Sequence, residues 1–160
     1  MSLTLVTAPS GNVLTMSQVY DHLRVDLVGS PAEPADATYI TALRDAAEAY
    51  LDGDEGILGR ALLTQTWDLK IDAFPGDRYF RWDHAGRTFA DEIQIPLPPL
   101  QSVTSISYVD TNGATQTLAS SVYQVVTNGK WPAKIVAAYG QSFPEAREQP
   151  NAVTVRFVAG

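Results

Sequence analysis

The sequence predicts an α+β protein in which an N-terminal helical hairpin precedes a small antiparallel β-sandwich or barrel-like domain. Two observations support this fold class. Apolar residues recur at the helical spacing up to about residue 52, and after residue 63 they alternate along short segments that turn residues separate. We therefore expect a helical segment over residues 1–63 and an antiparallel β domain over residues 64–160.

The helical segment contains two predicted helices, at about 15–25 and 36–52. Thr15 or Ser17 is a suitable N-cap for the first helix, and Asp36 for the second. The second helix carries one apolar stripe at the helical period, formed by Ile40, Leu43, Ala47, Tyr50 and Leu51. Glycine and proline residues between the helices predict a connecting loop, so the two helices form a hairpin.

The β domain begins with the clearest strand of the chain. Between residues 66 and 72 apolar and polar side chains alternate without exception, which indicates a strand with one buried face. Asn112-Gly113 and Asn128-Gly129 mark two hairpin turns, because both residue types tolerate a positive φ. The other predicted strands, including a short one near the N-terminus, lie at 3–6, 93–95, 103–109, 115–118, 123–126, 134–138 and 152–158.

An extended hairpin is expected at about 77–92, and it is rich in arginine and aromatic residues. Such side chains are enriched at interface hot spots because they bury much area at low entropic cost. A second interpretation folds the same aromatics back onto the sheet. The candidate protein-interaction residues are Arg78, Tyr79, Phe80, Arg81, Trp82 and Phe89. The alanine-rich face of the second helix is another candidate contact surface.

Composition excludes several classes of protein. The chain of 160 residues is long enough for one domain with its own core. It contains no cysteine, which excludes disulfides and thiolate metal sites. No apolar run reaches the length that spans a bilayer, and the first residues lack the basic region of a signal peptide. The net charge of −7 argues against a protein that grips nucleic acid phosphates.

No catalytic or ligand-binding constellation emerges from the residues. The acidic stretch at 52–56 suggests a calcium loop, but it lacks glycine at the sixth and glutamate at the twelfth position of that motif. A hydrolase built on Asp83, His84 and Asp91 is a weak alternative, because one histidine without ordered spacing does not define a site. We therefore expect no cofactor, no metal and no small-molecule substrate.

Four short stretches, in this order, resemble the head–tail connector proteins of tailed phages, prophages and gene transfer agents. These proteins are also called adaptor or head-completion proteins. The stretches are 59–67 (GRALLTQTW), 95–103 (IPLPPLQSV), 108–110 (YVD) and 139–144 (YGQSFP). The two predicted helices and Gln149-Pro150 before the last strand fit the same pattern. Each stretch is weakly specific alone, but the ordered set spans most of the chain.

The resemblance implies a structural protein without catalytic residues. Family members form a ring, commonly of twelve copies, which joins the portal to the next neck or stopper protein. The genome passes through the lumen without specific binding. The implied location is the virion neck, after assembly in the bacterial cytoplasm, with no membrane partner.

Two departures from the family pattern are visible. Family members continue past a stretch like that at 155–160 into further helices and a tail that docks into the portal, whereas this sequence stops at Gly160. Residues 77–92 are longer than the usual link between the two strands, which suggests an insertion. The residues alone also leave open a carbohydrate- or protein-binding β module, which exposed tryptophan and tyrosine would suit.

Overall fold

The computed structural model describes residues 1–27, 34–76, 92–127, 129 and 131–160. These residues form two α-helices, one short 3-10 helix and eight β-strands. The helices are α1 (Met16–Leu23), α2 (Ala37–Leu51) and the 3-10 helix Ser120–Val122. The strands are β1 (Ser2–Thr7), β2 (Gln65–Ile71), β3 (Glu92–Ile95), β4 (Leu100–Val109), β5 (Thr115–Thr117), β6 (Tyr123–Val126), β7 (Ala133–Ala137) and β8 (Val153–Ala159). This confirms the α+β class.

The strands form two antiparallel sheets, and the barrel-like alternative is wrong. The larger sheet has the order β1-β2-β8-β4-β5, and the smaller sheet has the order β3-β7-β6. A barrel would require an edge strand of one sheet to continue the hydrogen bonding of the other. No such pair joins the two sheets among the residues that the structure describes. The sheets remain open and cover one shared core.

β8 forms the centre of that core. Its inward side chains are completely buried, and it pairs with β2 on one side and β4 on the other. The same alternation that predicts β2 places Trp67 and Leu69 on the buried face. The smaller sheet supplies Ile93, Ile95 and Ile135 from the opposite side. The fully buried side chains of β8 are Val153, Val155, Phe157 and Ala159.

An ion pair links the same two strands on the other face of the larger sheet. Arg156 Nε and Nη2 donate to the two carboxylate oxygens of Asp68, each at 2.8 Å. The Asp68 side chain is only 13% exposed. The hydrogen bond and charge of Arg156 lower the pKa of Asp68 below its ordinary value, although burial opposes the shift. The pair therefore favours the register in which Asp68 faces Arg156.

The N-terminal segment confirms both predicted helices and the short early strand. β1 pairs with β2, so residues 1–63 also contribute an edge strand to the larger sheet. Thr15 caps α1 in a capping box, because its hydroxyl accepts from Gln18 N while Gln18 Oε1 accepts from Thr15 N. No helix among the described residues is long and apolar enough to cross a bilayer.

The predicted helical hairpin differs from the structure in its second N-cap, and its connecting loop lies partly outside the described residues. Asp36 occupies the N-cap position of α2, but its side chain makes no capping bond. Its backbone, at φ −97° and ψ 23°, lacks the extended conformation that directs a side chain toward the free amides. The connection between the helices includes residues 28–33, which lie outside the described residues, so the helical hairpin stays a prediction.

The turns of the β domain follow the predicted chemistry. Asp110 Oδ1 accepts from Asn112 N and Ala114 N, both at 2.9 Å, and the chain returns as β5. β6 and β7 pair as the second predicted hairpin, around Gly129. The extended hairpin at 77–92 lies outside the described residues except for its last residue, Glu92, which begins β3.

We expect Leu69→Ala to lower the free energy of unfolding by about 2–5 kcal/mol, because it leaves a cavity in a fully buried site. Leu43→Ala is the matched control, since Leu43 on α2 is 52% exposed, and its effect should stay within about 0.5 kcal/mol. Urea unfolding followed by tryptophan fluorescence measures both. Equal losses would contradict the burial pattern described above.

We expect Asp68→Asn to flatten the acid side of the stability–pH profile. A carboxyl whose pKa is lowered by folding stabilises the protein above its unfolded pKa, and this contribution disappears as the pH falls through the folded value. Wild type should therefore lose stability below about pH 5 more steeply than the variant. The control is Asp54→Asn, at an exposed site after α2. Its free energy of unfolding, measured with urea at each pH, should depend on pH as steeply as that of wild type.

Candidate interaction surface

The apolar stripe predicted on α2 is present, but the chain leaves most of it uncovered. Ile40 is buried, whereas Leu43 is 52% exposed and Tyr50 is 64% exposed. Helix α1 buries none of its residues. A helix normally gains most of its stability by packing its apolar face. The described residues of one chain do not supply that packing, so the stripe has the character of a contact surface.

Exposed large apolar side chains concentrate in the same part of the chain. Thirteen of the seventeen that the structure describes lie within residues 1–58. Single exposed apolar residues are ordinary, but many in one segment are typical of an interaction surface. We call the following set the helical apolar surface: Met1, Leu5, Val6, Val13, Leu14, Leu23, Leu27, Tyr39, Leu43, Tyr50, Leu51, Ile57 and Leu58.

Polar contacts hold the residues before α1 against α2. Asn12 Nδ2 donates to Asp45 Oδ1 at 3.2 Å and to Glu48 Oε2 at 2.9 Å. The other Glu48 oxygen accepts from Leu14 N at 3.1 Å. These bonds use the polar side of α2, which the sequence predicts as the solvent side. They fix the apolar residues 13 and 14 beside the helix.

A groove lies between α2 on one side and, on the other, α1 and the residues that precede it. Its volume is about 180 Å³, and its surface is apolar. The Arg44 side chain beside it is only 12% exposed, and its Nη2 donates to Asp45 Oδ1 at 2.7 Å. The groove is lined by Val13, Leu14, Val19, Arg44, Ala47, Glu48, Leu51 and Leu62.

The joint between α2 and the larger sheet is a set of hydrogen bonds on Asp52. One carboxylate oxygen accepts from Leu62 N at 2.7 Å, and the other accepts from the buried Gln65 Nε2 at 2.6 Å. Gly53 lies against the Trp67 ring, and its φ of +76° is a backbone conformation that favours glycine. Sequence reasoning rejects a calcium loop in this acidic turn and misses the joint. The joint fixes the direction in which α2 leaves the β domain.

Charge is distributed unevenly between the two predicted parts of the chain. Residues 1–63 contain nine Asp and Glu but three Lys and Arg, which gives −6 of the total −7. Residues 64–160 are close to neutral. The helical apolar surface therefore lies in an acidic segment, which disfavours contact with nucleic acid phosphates there.

The structure describes the alanines predicted as a contact face but not the other predicted site residues. The alanines of α2, at positions 42, 46, 47 and 49, are exposed, and their role as a contact face stays a prediction. The candidate interaction residues at 78–82 and 89 lie outside the described residues, as do Asp83, His84 and Asp91 of the hydrolase alternative. The residues that the structure describes contain no group of three or more metal-ligating side chains.

Comparison with known proteins gives matches among solved structures. No family model matches the chain, and no curated protein matches it. The chain aligns over its whole length with a chain of the virion of a native gene transfer agent particle, at 26% identity and a TM-score of 0.64. The alignment covers 72% of that chain.

Two further matches come from necks of such particles. One is the neck of the native particle, computed with C12 symmetry, at 25% identity and a TM-score of 0.62, with 70% of that chain covered. The other is the neck of the empty particle, computed with C6 symmetry, at 24% identity and a TM-score of 0.68, with 71% covered. The chain thus shares its fold, from end to end, with proteins of gene transfer agent necks, which confirms the predicted resemblance to neck-type connector proteins.

Proposed function

We propose that the protein is a structural head–tail connector, or adaptor, in the neck of a phage-like particle. In this role several copies form a ring that joins the portal to the next neck or stopper protein, and the genome passes through the lumen. The observation that carries the proposal is the match over the whole chain, at 25–26% identity, to proteins of gene transfer agent virions and necks.

The exposed apolar surface supports a subunit that works in an assembly. A closed ring uses heterologous contacts, so each subunit needs two different patches. The helical apolar surface provides one of them. A free monomer would gain nothing from exposing thirteen large apolar side chains, whereas a neighbour that covers them gains the free energy of their burial.

The net negative charge of the chain supports a lumen through which DNA passes without being bound. A protein that binds DNA tightly neutralises phosphates with lysine and arginine and releases their counterions. This chain has 11 such residues against 18 acidic ones. In the proposed ring, the genome therefore moves past the subunits without a specific binding site, and no catalytic step is assigned to the chain.

Residues 77–92, predicted as an extended hairpin, are the second proposed contact region. The proposed division of the chain remains a helical segment at 1–63 and a β domain at 64–160, which includes this hairpin. Its arginine and aromatic side chains have the composition of an interface hot spot. We propose that Arg78, Tyr79, Phe80, Arg81, Trp82 and Phe89 contact a neighbouring subunit or the next neck protein.

We expect the purified protein, mixed with the portal protein of the same particle, to form a ring on the portal in electron micrographs. The protein alone should show concentration-dependent rings or remain monomeric, because a portal concentrates several copies at one place. Leu43→Glu with Tyr50→Glu on α2 should abolish ring density while the far-UV circular dichroism spectrum is retained. A portal that carries no added density with wild-type protein would contradict the proposal.

We expect Arg81→Ala with Trp82→Ala to preserve folding and to weaken assembly by about tenfold or more, because each removes a large interface side chain. Thermal unfolding measures the first effect, and sedimentation with the portal measures the second. Val126→Ala, an exposed apolar site on an edge strand, serves as the control for surface truncation. If the double variant unfolds instead, its side chains belong to the core and the proposed contact is wrong.

A further inference from the structure

We infer that Tyr139 of one copy inserts into the apolar groove beside α2 of a neighbouring copy. The inference rests on the proposed function, because it assigns the two patches of a ring contact. The occupant of the groove is therefore a second copy of this chain, and the anchor is a single aromatic side chain. Three observations lead to this assignment.

The first observation is the presentation of Tyr139, which is fully exposed between β7 and the long loop before β8. Gln141 N donates to Ala138 O at 2.8 Å, which closes a tight turn around it. Gly140 has φ +72°, as the third residue of a type II turn requires. Ala138 N also donates to Val122 O at 2.8 Å, which ties the turn to the end of the 3-10 helix before β6. An exposed aromatic ring on a fixed backbone loses little entropy when it docks.

The second observation is the size and chemistry of the groove. A cavity of roughly 150 Å³ holds one benzene ring. The groove beside α2 measures about 180 Å³, so it has room for one aromatic ring. Its surface is apolar, so Arg44 and Glu48 contribute only apolar atoms to the lining. The apolar ring of a tyrosine matches this surface.

The third observation concerns symmetry. Tyr139 is fully exposed in its own chain, so it does not fill the groove of that chain. A knob and a groove at different places on one subunit make a heterologous contact, and a heterologous contact closes into a ring when its rotation permits. The neck structures that share this fold were computed with C12 and C6 symmetry. This favours a second copy over an unrelated partner.

Chemical cross-linking tests the contact directly, because the chain contains no cysteine. We expect the double variant Ala47→Cys with Gln141→Cys, treated with a short bis-maleimide, to give a ladder of dimers, trimers and larger species on a denaturing gel. Ala47 lines the groove, and the exposed Gln141 lies two residues after the knob, which stays intact, so each link should join one copy to the next.

Controls separate this head-to-tail contact from random encounter. Each single-cysteine variant stops at a dimer, because it has only one thiol. Ala47→Cys with Thr111→Cys keeps one partner thiol and moves the other to the exposed turn before β5, so it should give no ladder above background. A double variant at 47 and 141 that yields no more ladder than this control overturns the inference.

A second measurement uses substitutions of the knob alone. Tyr139→Ala should raise the protein concentration needed for half-maximal ring formation on the portal by about tenfold to thirtyfold, whereas Tyr139→Phe should change it less than threefold. Equal behaviour of the two variants overturns the inference. If wild-type rings form but the 47–141 link does not, only the groove assignment fails. If wild-type rings never form, the proposed function fails as well.

Discussion

The larger sheet is complete only when its last strand lies between two strands that come much earlier in the chain. β8 pairs with β2, more than eighty residues before it, and with β4. Its four inward side chains are fully buried, so neither neighbour has a closed core without it. Contacts at such sequence separation form late, because loop closure has to be offset before they stabilise the fold. The folded state therefore depends on the pairing of β8, the last strand of this sheet along the chain.

Two different stabilising principles operate in one chain. The β domain buries its apolar side chains between two sheets and fixes its register with the Asp68–Arg156 pair. Helix α2 is held by directional bonds instead, through Asp52 at the joint with the sheet and through Glu48 to the residues before α1. Directional bonds orient a helix without covering its apolar face. The β domain therefore presents a helix whose apolar stripe is mostly exposed, which suits the proposed subunit of an assembly.

Much of this architecture follows from local sequence patterns, and the exceptions have physical causes. Strict alternation at 66–72 and the Asn112-Gly113 turn specify local geometry, so β2 and the β4–β5 hairpin are predictable. The strand order is not predictable in this way. The pairing of β8 with β2 depends on a core built from residues far apart in the sequence, which no short stretch contains. The apolar stripe on α2 can be predicted from the helical spacing of its residues. That spacing does not show whether the surface that covers the stripe belongs to the same chain. The exposure of Tyr139 depends on the turn at Gly140 and on its distance from the core.

The uneven charge of the subunit bears on when copies come together. Residues 1–63 carry most of the net negative charge, and they also carry the apolar side chains that a neighbour would cover. Repulsion between like-charged segments opposes the first pairwise encounter of dilute copies. In the proposed ring, a scaffold that gathers many copies at once offsets this repulsion through local concentration. On that proposal the charge sets a nucleation threshold, which delays polymerisation of free subunits until a template is available.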